Sequence, residues 1–267
     1  MIKFTVITVT YNAADVFKCT ADSVLMQKYP YVEHLIIDGA SKDRTLELAR
    51  VYKMCSDATV IGHTVTIKSE PDRGLYDAMN KGLAMATGHY VCFLNAGDCF
   101  PDRDTLDLVA RHARQNDAAE AGKRLPAVLY GDTDVMDNEG NFLFHRRLAP
   151  PEVLTWRSFI NGMLVCHQAF YARTDIARRH LYDLRYRHSA DVDWCINVMK
   201  EAEQEGLELK NVHAVVANYR REGQSTRYHR ASLMERFSIM CSHYGVAQTL
   251  ASHVWFVVRL ILRRKRQ

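Results

Sequence analysis

Apolar and polar positions along this chain follow two periods, and the switching between them predicts the fold. Residues 2–10, IKFTVITVT, form a short run rich in strand formers and read as a first strand. Residues 32–37, VEHLII, and 64–68, TVTIK, read as the second and third. Between them the repeat lengthens to helical spacing. One helix follows Asn12, with Val16 and Val24 on its inner stripe, and another runs from Thr45 to Met54. The clearest stretch is 69–98, SEPDRGLYDAMNKGLAMATGHYVCFLNAGD. Leu75, Met79, Leu83 and Ala86 fall on one face of a helix lying on a sheet. Gly88 stands where a left-handed residue would close it, and Tyr90 to Leu94 has the continuous apolar character of a doubly covered parallel strand. Strand and helix alternating at short spacing predict an α/β fold with a mostly parallel sheet and right-handed crossovers.

Punctuation residues refine this picture. Asn12 is suited to cap the first helix, Gly39 to a tight turn, and Asp43 to cap the second helix. After a helix near 103–115, residues 127–136 read as a strand, and Asn138–Asn141 as a hairpin turn into Phe142–His145. The alternation is less regular from there, so 125–172 is expected to add antiparallel strands at the sheet's edge. A helix at 190–205, a strand at 209–219, a polar loop from Arg220 to Thr226 and a helix near 229–243 complete one domain, 1–245.

Composition adds little: with 48% apolar and 25% charged residues among 267, the chain reads as an ordinary globular protein. Seven cysteines, an odd number without metal-ligand spacing, read as reduced, buried thiols in a reducing compartment. The amino terminus enters a strand directly, without the profile of an export signal. Charge is more informative. The net charge is +4, yet residues 246–267 hold five basic residues and no acid, so the remaining chain sums to −1. A near-neutral body argues against nucleic acid as a partner. The tail alternates Val254–Val258, Arg259, Leu260–Leu262 and Arg263–Arg266. Its apolar run is shorter than the roughly 20 residues a spanning helix needs. Two readings stay open: a basic amphipathic helix on an anionic lipid surface, or a helix packed on the domain with Trp255 and Phe256 in a groove.

The candidate chemistry sits at strand ends, where open α/β sheets place ligands. Asp38 closes strand two; its carboxylate suits a base N–H or a cap on its own loop. Arg73 precedes a helix amino terminus, placed for a diphosphate or for an ion pair with Asp72 or Asp77. Asp98 ends the fourth strand's exit turn, as a ligand for a hard divalent cation or a turn residue before Pro101. Asp191 and Asp193 open a helix, as a catalytic base or as first-turn caps. Asp132, near another strand, reads as structural.

Four motifs in order, Thr10-Tyr11-Asn12, Asp38–Asp43, Ser69–Asp98 and Ala190–Asp191, resemble the family 2 inverting nucleotide-sugar glycosyltransferases of GT-A fold. The resemblance is continuous over about residues 3–100 and continues as islands, among them His167-Gln168. It is nearest the bacterial members that build surface polysaccharides. It implies a nucleotide-sugar-binding half, 1–100, and an acceptor-side half, 101–245. It places Thr10, Tyr11, Asn12, Asp38 and Asn95 around the nucleotide sugar, with Asp38 on the base and ribose and Arg73 on the diphosphate. Asp98 becomes the ligand of Mg²⁺ or Mn²⁺, although Asn95 and Gly97 stand where the usual Asp-Asp-Asp or Asp-X-Asp motif has further carboxylates. Asp191 becomes the catalytic base, with Ala190 in place of the usual Glu; Asp193 competes for that role, and His167 and Gln168 are acceptor-side candidates.

The implied reaction is inverting transfer from a nucleoside-diphosphate sugar, a UDP-sugar foremost, to a hydroxyl of a glycan or lipid-linked saccharide. Capsular, exo- or lipopolysaccharide synthesis is the implied setting, in the cytoplasm against the inner face of the membrane. Two other readings compete. A sugar-1-phosphate nucleotidyltransferase would want a Gly-rich loop after strand one, which Thr10-Tyr11-Asn12 is not. A catalytically silent nucleotide-sugar or glycan-binding module would fit the thinned metal motif and Ala190.

Overall fold

The computed structural model describes residues 1–114, 124–221 and 228–264, with side chains of the last helix up to Trp255. Four parallel strands form its first half: β1 (Phe4–Thr10), β2 (Val32–Asp38), β3 (Thr64–Ser69) and β4 (Tyr90–Phe93), in the order β3-β2-β1-β4. Helices α1 (Ala14–Leu25) and α2 (Thr45–Asp57) cover one face, packing Phe17, Ala21, Ala49 and Tyr52 on Ile36 and Val65. On the other face, α3 (Leu75–Met85) lies over β1 and β2. Its approach is close enough that a Cβ at Gly82 would fall 2.5 Å from Ile7 Cγ2.

Every residue of β1 and β2 is buried, the apolar ones of β1 and the Leu35–Ile37 run of β2 by the helices that cover both faces. Several polar members of these strands, Thr5, Thr8, Glu33 and His34 among them, are bonded internally. His34 contacts Thr8 Oγ1 at 2.9 Å and Tyr52 OH at 2.6 Å, and burial lowers its pKa to about 3, keeping it neutral.

Three turn residues act differently from their sequence reading. Gly88 is not left-handed: a Cβ there would meet Thr5 N at 2.7 Å and Lys3 O at 2.8 Å, so glycine serves close approach to β1. At residues 38–43 the left-handed residue is Ala40 (φ 61°), while Gly39 makes room for Asp72, whose Oδ2 would lie 2.4 Å from a Cβ. Asn12, itself left-handed, does not cap α1; its Oδ1 accepts from Lys42 N at 2.8 Å. Asp43 ties the two helix starts instead, accepting from Thr45 N at 2.9 Å and Ala14 N at 3.1 Å.

The second half extends the sheet. After α4 (Thr105–Arg114), β5 (Val128–Met136) turns through 137–141 into β6 (Phe142–His145). Then β7 (Phe170–Arg173) inserts antiparallel between β4 and β5. The antiparallel additions expected here are present, and β8 (Leu209–Arg220) returns parallel to β5. Helices α5 (Thr174–Ala177), α6 (Ala190–Gln204), α7 (His229–Tyr244) and α8 (Val246–Arg264) complete the chain. Residue 115 of the expected fourth helix, residues 222–226 of the polar loop, Lys265, Arg266 and the Phe256 side chain lie outside the description.

Among the described residues no helix is long and apolar enough to cross a membrane. Trp255 is 57% exposed, so it is not seated in a groove of the domain. All seven cysteines are unpaired; Cys92, Cys99 and Cys195 are buried as expected, but Cys19 and Cys55 are exposed.

Candidate active site

The carboxyl ends of β1 and β4 open into a cleft of about 740 Å³. Thr10 and Tyr11 leave β1 along one wall, and Asn95 and Asp98 leave β4 at the floor. His167, Gln168 and Asp191 enter from the second half, from the 3-10 turn His167–Ala169 and from the first turn of α6.

That short turn organises the site. Gln168 Nε2 donates to Asp98 Oδ2 at 2.9 Å, while its neighbour His167 sets Nδ1 3.3 Å from Asp191 Oδ2. Two consecutive side chains therefore hold two of the cleft carboxylates, Asp98 and Asp191. Tyr76, on the first turn of α3, donates its hydroxyl to Asp191 Oδ1 at 3.0 Å. Asn95 Nδ2 meets His167 Nε2 at 3.3 Å; with Asn95 as donor there, the imidazole presents its Nδ1 proton to Asp191.

The two carboxylates differ electrostatically. Burial pushes Asp191 up, but the His167 contact, the Arg236 charge and the Tyr76 bond outweigh it, holding the carboxyl below its usual range. Burial wins at Asp98, whose pKa is raised despite the Gln168 bond, the charge of His167 and a backbone bond from Arg220 N at 3.2 Å. Asp191 is thus held ionised, while Asp98 has reason to take a cation.

Mg²⁺ or Mn²⁺ fits this donor set only as a shared ligand. Among the described residues no three His, Cys, Asp or Glu gather, so these residues build no cage of their own. Asp98 offers one carboxylate whose oxygens keep lone pairs beyond the bonds they accept, which suits a cation completed by phosphates and water. Two cleft-lining oxygens, Thr10 Oγ1 and Asn95 Oδ1, are buried without a partner among the described residues. Each such group costs about 1–3 kcal/mol, which a polar ligand would offset.

Other candidates lie elsewhere. Asp38 is fully buried and not part of the cleft lining; its oxygens accept from Ser41 N at 3.1 Å and Ser69 Oγ at 2.6 Å. Asn12 braces the same loop from outside the lining. Arg73 has a 77% exposed side chain paired with Asp77 at 3.0 Å, the alternative its spacing left open. Asp193 points to α7, bonded to His243 Nε2 at 2.7 Å and Asn197 Nδ2 at 3.1 Å. Asp132 lies within β5.

Among the described residues the cleft's cationic side chains are Arg146, Arg187, Arg220 and Arg236. Sequence reasoning assigned a role to none of these, nor to Tyr76, which reads as a core aromatic of α3. The one signal available was Arg220 in the polar loop after the last strand.

The profile of glycosyl transferase family 2 matches residues 5–177, which takes in β1, the β4 exit and the His167–Gln168 turn. The chain belongs to that family. A PGL/p-HBAD biosynthesis glycosyltransferase of Mycobacterium bovis is 32% identical over 221 residues, 82% of this chain and 77% of the relative. The amylovoran biosynthesis glycosyltransferase AmsB of Erwinia amylovora is 25% identical over 244 residues, 85% and 75%. In three dimensions the chain resembles residues 1–349 of S. aureus TarS in complex with UDP-GlcNAc, with TM-score 0.68 and 16% identity over 96% of this chain and 73% of that one. It also resembles the mannosyltransferase PcManGT of Pyrobaculum calidifontis in complex with GDP-Man and Mn²⁺, with TM-score 0.58 and 18% identity, over 96% and 75%. The fold is accordingly GT-A-like, and this family 2 member is a glycosyltransferase.

Proposed function

We propose that this family 2 member transfers a sugar, with inversion, from a nucleoside-diphosphate donor to a hydroxyl of a glycan or lipid-linked saccharide in bacterial surface-polysaccharide synthesis. One observation carries the reading: a carboxylate held ionised, Asp191, shares the cleft with a second, Asp98, through adjacent residues of one turn. Inversion needs a single base, because no covalent intermediate forms, and that base works on the face opposite the departing nucleotide. Asp191 takes the acceptor hydroxyl's proton. Tyr76 and His167 aim its two oxygens, so neither oxygen has to be oriented during the reaction.

The donor lies along the strand ends, with Thr10, Tyr11 and Asn95 as its polar contacts. Uridine is the favoured base, as in the nucleotide sugar bound by the TarS neighbour. Asp38 would recognise base and ribose by exchanging a loop bond to Ser41 or Ser69 for one to the ligand. Arg73 would have to leave Asp77 to reach a diphosphate, whereas Arg220 already lines the cleft next to Asp98. Asp98 would hold Mg²⁺ or Mn²⁺ together with the donor's phosphates; when bound, the ion neutralises charge on the leaving diphosphate. The exposed apolar side chains of Leu250, Val254 and Trp255 on α8, with the basic end of the chain, support a place on the cytoplasmic membrane surface.

The test is donor hydrolysis, scanned over UDP-, GDP- and dTDP-sugars with Mg²⁺ or Mn²⁺. Release of one nucleoside diphosphate is expected, abolished in Asp98→Ala and reduced about 10²–10⁴-fold in Asp191→Asn with donor affinity retained. Donor binding without turnover, for every donor and metal and with added acceptor glycans, would refute the transfer reading and leave a silent binding module.

A further inference from the structure

Among the described residues, Arg146 of the cleft lining is spent on the carbonyls of Met163, Leu148 and Leu164, and the other cations gather at two places. Arg220 lies at the Asp98 end, where its main-chain N–H bonds that carboxylate and its Nε donates to Asn138 Oδ1 at 2.7 Å. The second place is beside Asp191. There Arg187, His188 and Arg236 line the cleft, brought together by one acid. Glu235 accepts from the backbone N–H of Arg187 at 2.9 Å and of His188 at 2.8 Å, which docks the 187–188 segment on α7 immediately before Arg236. A contact between the Ser189 and Ser232 hydroxyls at 2.9 Å closes the same junction.

Two nitrogens at this place are unused. Among the described residues, Arg236 Nε and His188 Nδ1 are buried without a hydrogen-bond partner, and the imidazole donates from Nδ1 when protonated there. The His188 ring is fixed by stacking on Tyr228, with centroids 4.9 Å apart and planes at 23°. Among the described residues neither Arg187 nor Arg236 forms an ion pair. Arg236 is felt at Asp191, whose carboxyl its charge helps hold down, but the two do not meet within ion-pair distance. A half-buried guanidinium and an imidazole, each with one buried nitrogen unpaired among the described residues, next to an exposed arginine, make a cradle for a multi-oxygen anion.

We propose that Arg187, His188 and Arg236 form an acceptor subsite for a phosphate group, so that the sugar accepting transfer carries a phosphate ester close to the attacking hydroxyl. The proposal rests on the inverting reading above. In that geometry the base and the leaving diphosphate flank opposite faces of the anomeric carbon. Cations gathered at the base therefore face the acceptor, while Asp98 and Arg220 face the diphosphate. Phosphate suits the site better than carboxylate, because three donor groups from two segments match a tetrahedral anion more readily than a planar one.

The experiment titrates enzyme already saturated with UDP and Mn²⁺, by calorimetry, with glucose 1-phosphate, glucuronate and methyl glucoside. One equivalent of glucose 1-phosphate is expected to bind, more tightly than either other probe. Arg236→Gln should weaken it by roughly tenfold or more, the worth of a charge-assisted pair, while UDP affinity stays within twofold. Arg236→Lys, which keeps the charge and loses the fork, should fall between. Retained circular dichroism and melting temperature in both variants would exclude misfolding, and Arg187→Gln supplies a second variant at a surface position. Equal weakening of UDP and glucose 1-phosphate in Arg236→Gln would assign these cations to the donor and overturn the proposal. So would tighter binding of glucuronate, or no binding of glucose 1-phosphate beside UDP. Absence of nucleotide binding altogether would remove the transferase reading, and this proposal with it.

Discussion

Replacing Tyr76 by phenylalanine isolates the contribution of one hydrogen bond to the proposed base. The hydroxyl donates to Asp191 Oδ1 at 3.0 Å, and the ring stacks on Tyr182 at 5.4 Å, so Phe keeps the packing and removes only the donor. Hydrogen bonds to a charged partner contribute about 1.5–3 kcal/mol. With one pKa unit equal to about 1.36 kcal/mol, losing this bond raises the Asp191 pKa by about one to two units. The lower figure is favoured, because His167 and Arg236 continue to hold the carboxylate down.

The sign follows from the ionised form being the active one. In the native protein Asp191 stays charged below the usual carboxylate range, so the acid limb of the rate profile lies low. In Tyr76→Phe that limb moves up by about one unit, while the rate at pH 7 changes less than about tenfold, since the base is still ionised there. The assay is the pH dependence of kcat/KM for sugar transfer or donor hydrolysis, read from pH 4 to 8. An unmoved acid limb together with a large loss of rate at pH 7 would refute the base assignment. A change confined to the donor KM would place Tyr76 on the donor instead.

Three further predictions address the frame and the tail. Gly88→Ala drives a Cβ into the β1 backbone at Thr5 N and Lys3 O, which cannot swing aside, so a loss of about 1–3 kcal/mol and several degrees of Tm is expected by calorimetry. His34 has a folded-state pKa of about 3 against an unfolded value near 6.5, so the unfolded chain binds more protons between these values. Stability should therefore fall as pH drops from 6.5 towards 3, and His34→Gln should flatten that slope in urea titrations at pH 7 and 4.5. Substituting Arg259, Arg263 and Arg264 together by Gln should weaken binding to phosphatidylglycerol vesicles by about two orders of magnitude, at about 1 kcal/mol per charge. Equal binding of native and substituted chains would mean the tail is not an electrostatic anchor.

Local pattern carried the first half of this protein and carried the site only as far as strand ends. Strands β1 to β4 and helices α1 to α3 were legible because each buries a face whose period appears in consecutive residues, and because a strand covered on both sides is apolar without interruption. Asp98 and Asp191 were legible because a strand exit and a helix start are local events. What each carboxylate does was not, since that depends on residues far along the chain. Gln168 meets Asp98 across 70 positions and Tyr76 meets Asp191 across 115.

Arg73 and Asp193 show the converse. Both looked placed for chemistry in sequence, yet i,i+4 geometry gives Arg73 to Asp77, and the packing of α7 gives Asp193 to His243. The glycines teach the same lesson: Gly88 looked like a helix terminator but exists because β1 passes within contact of its Cα. Sequence by itself determined the alternation of strands and helices and the family motifs at their ends. The tertiary structure alone decided which charges face the cleft, because a side chain's partner is set by how separate elements pack.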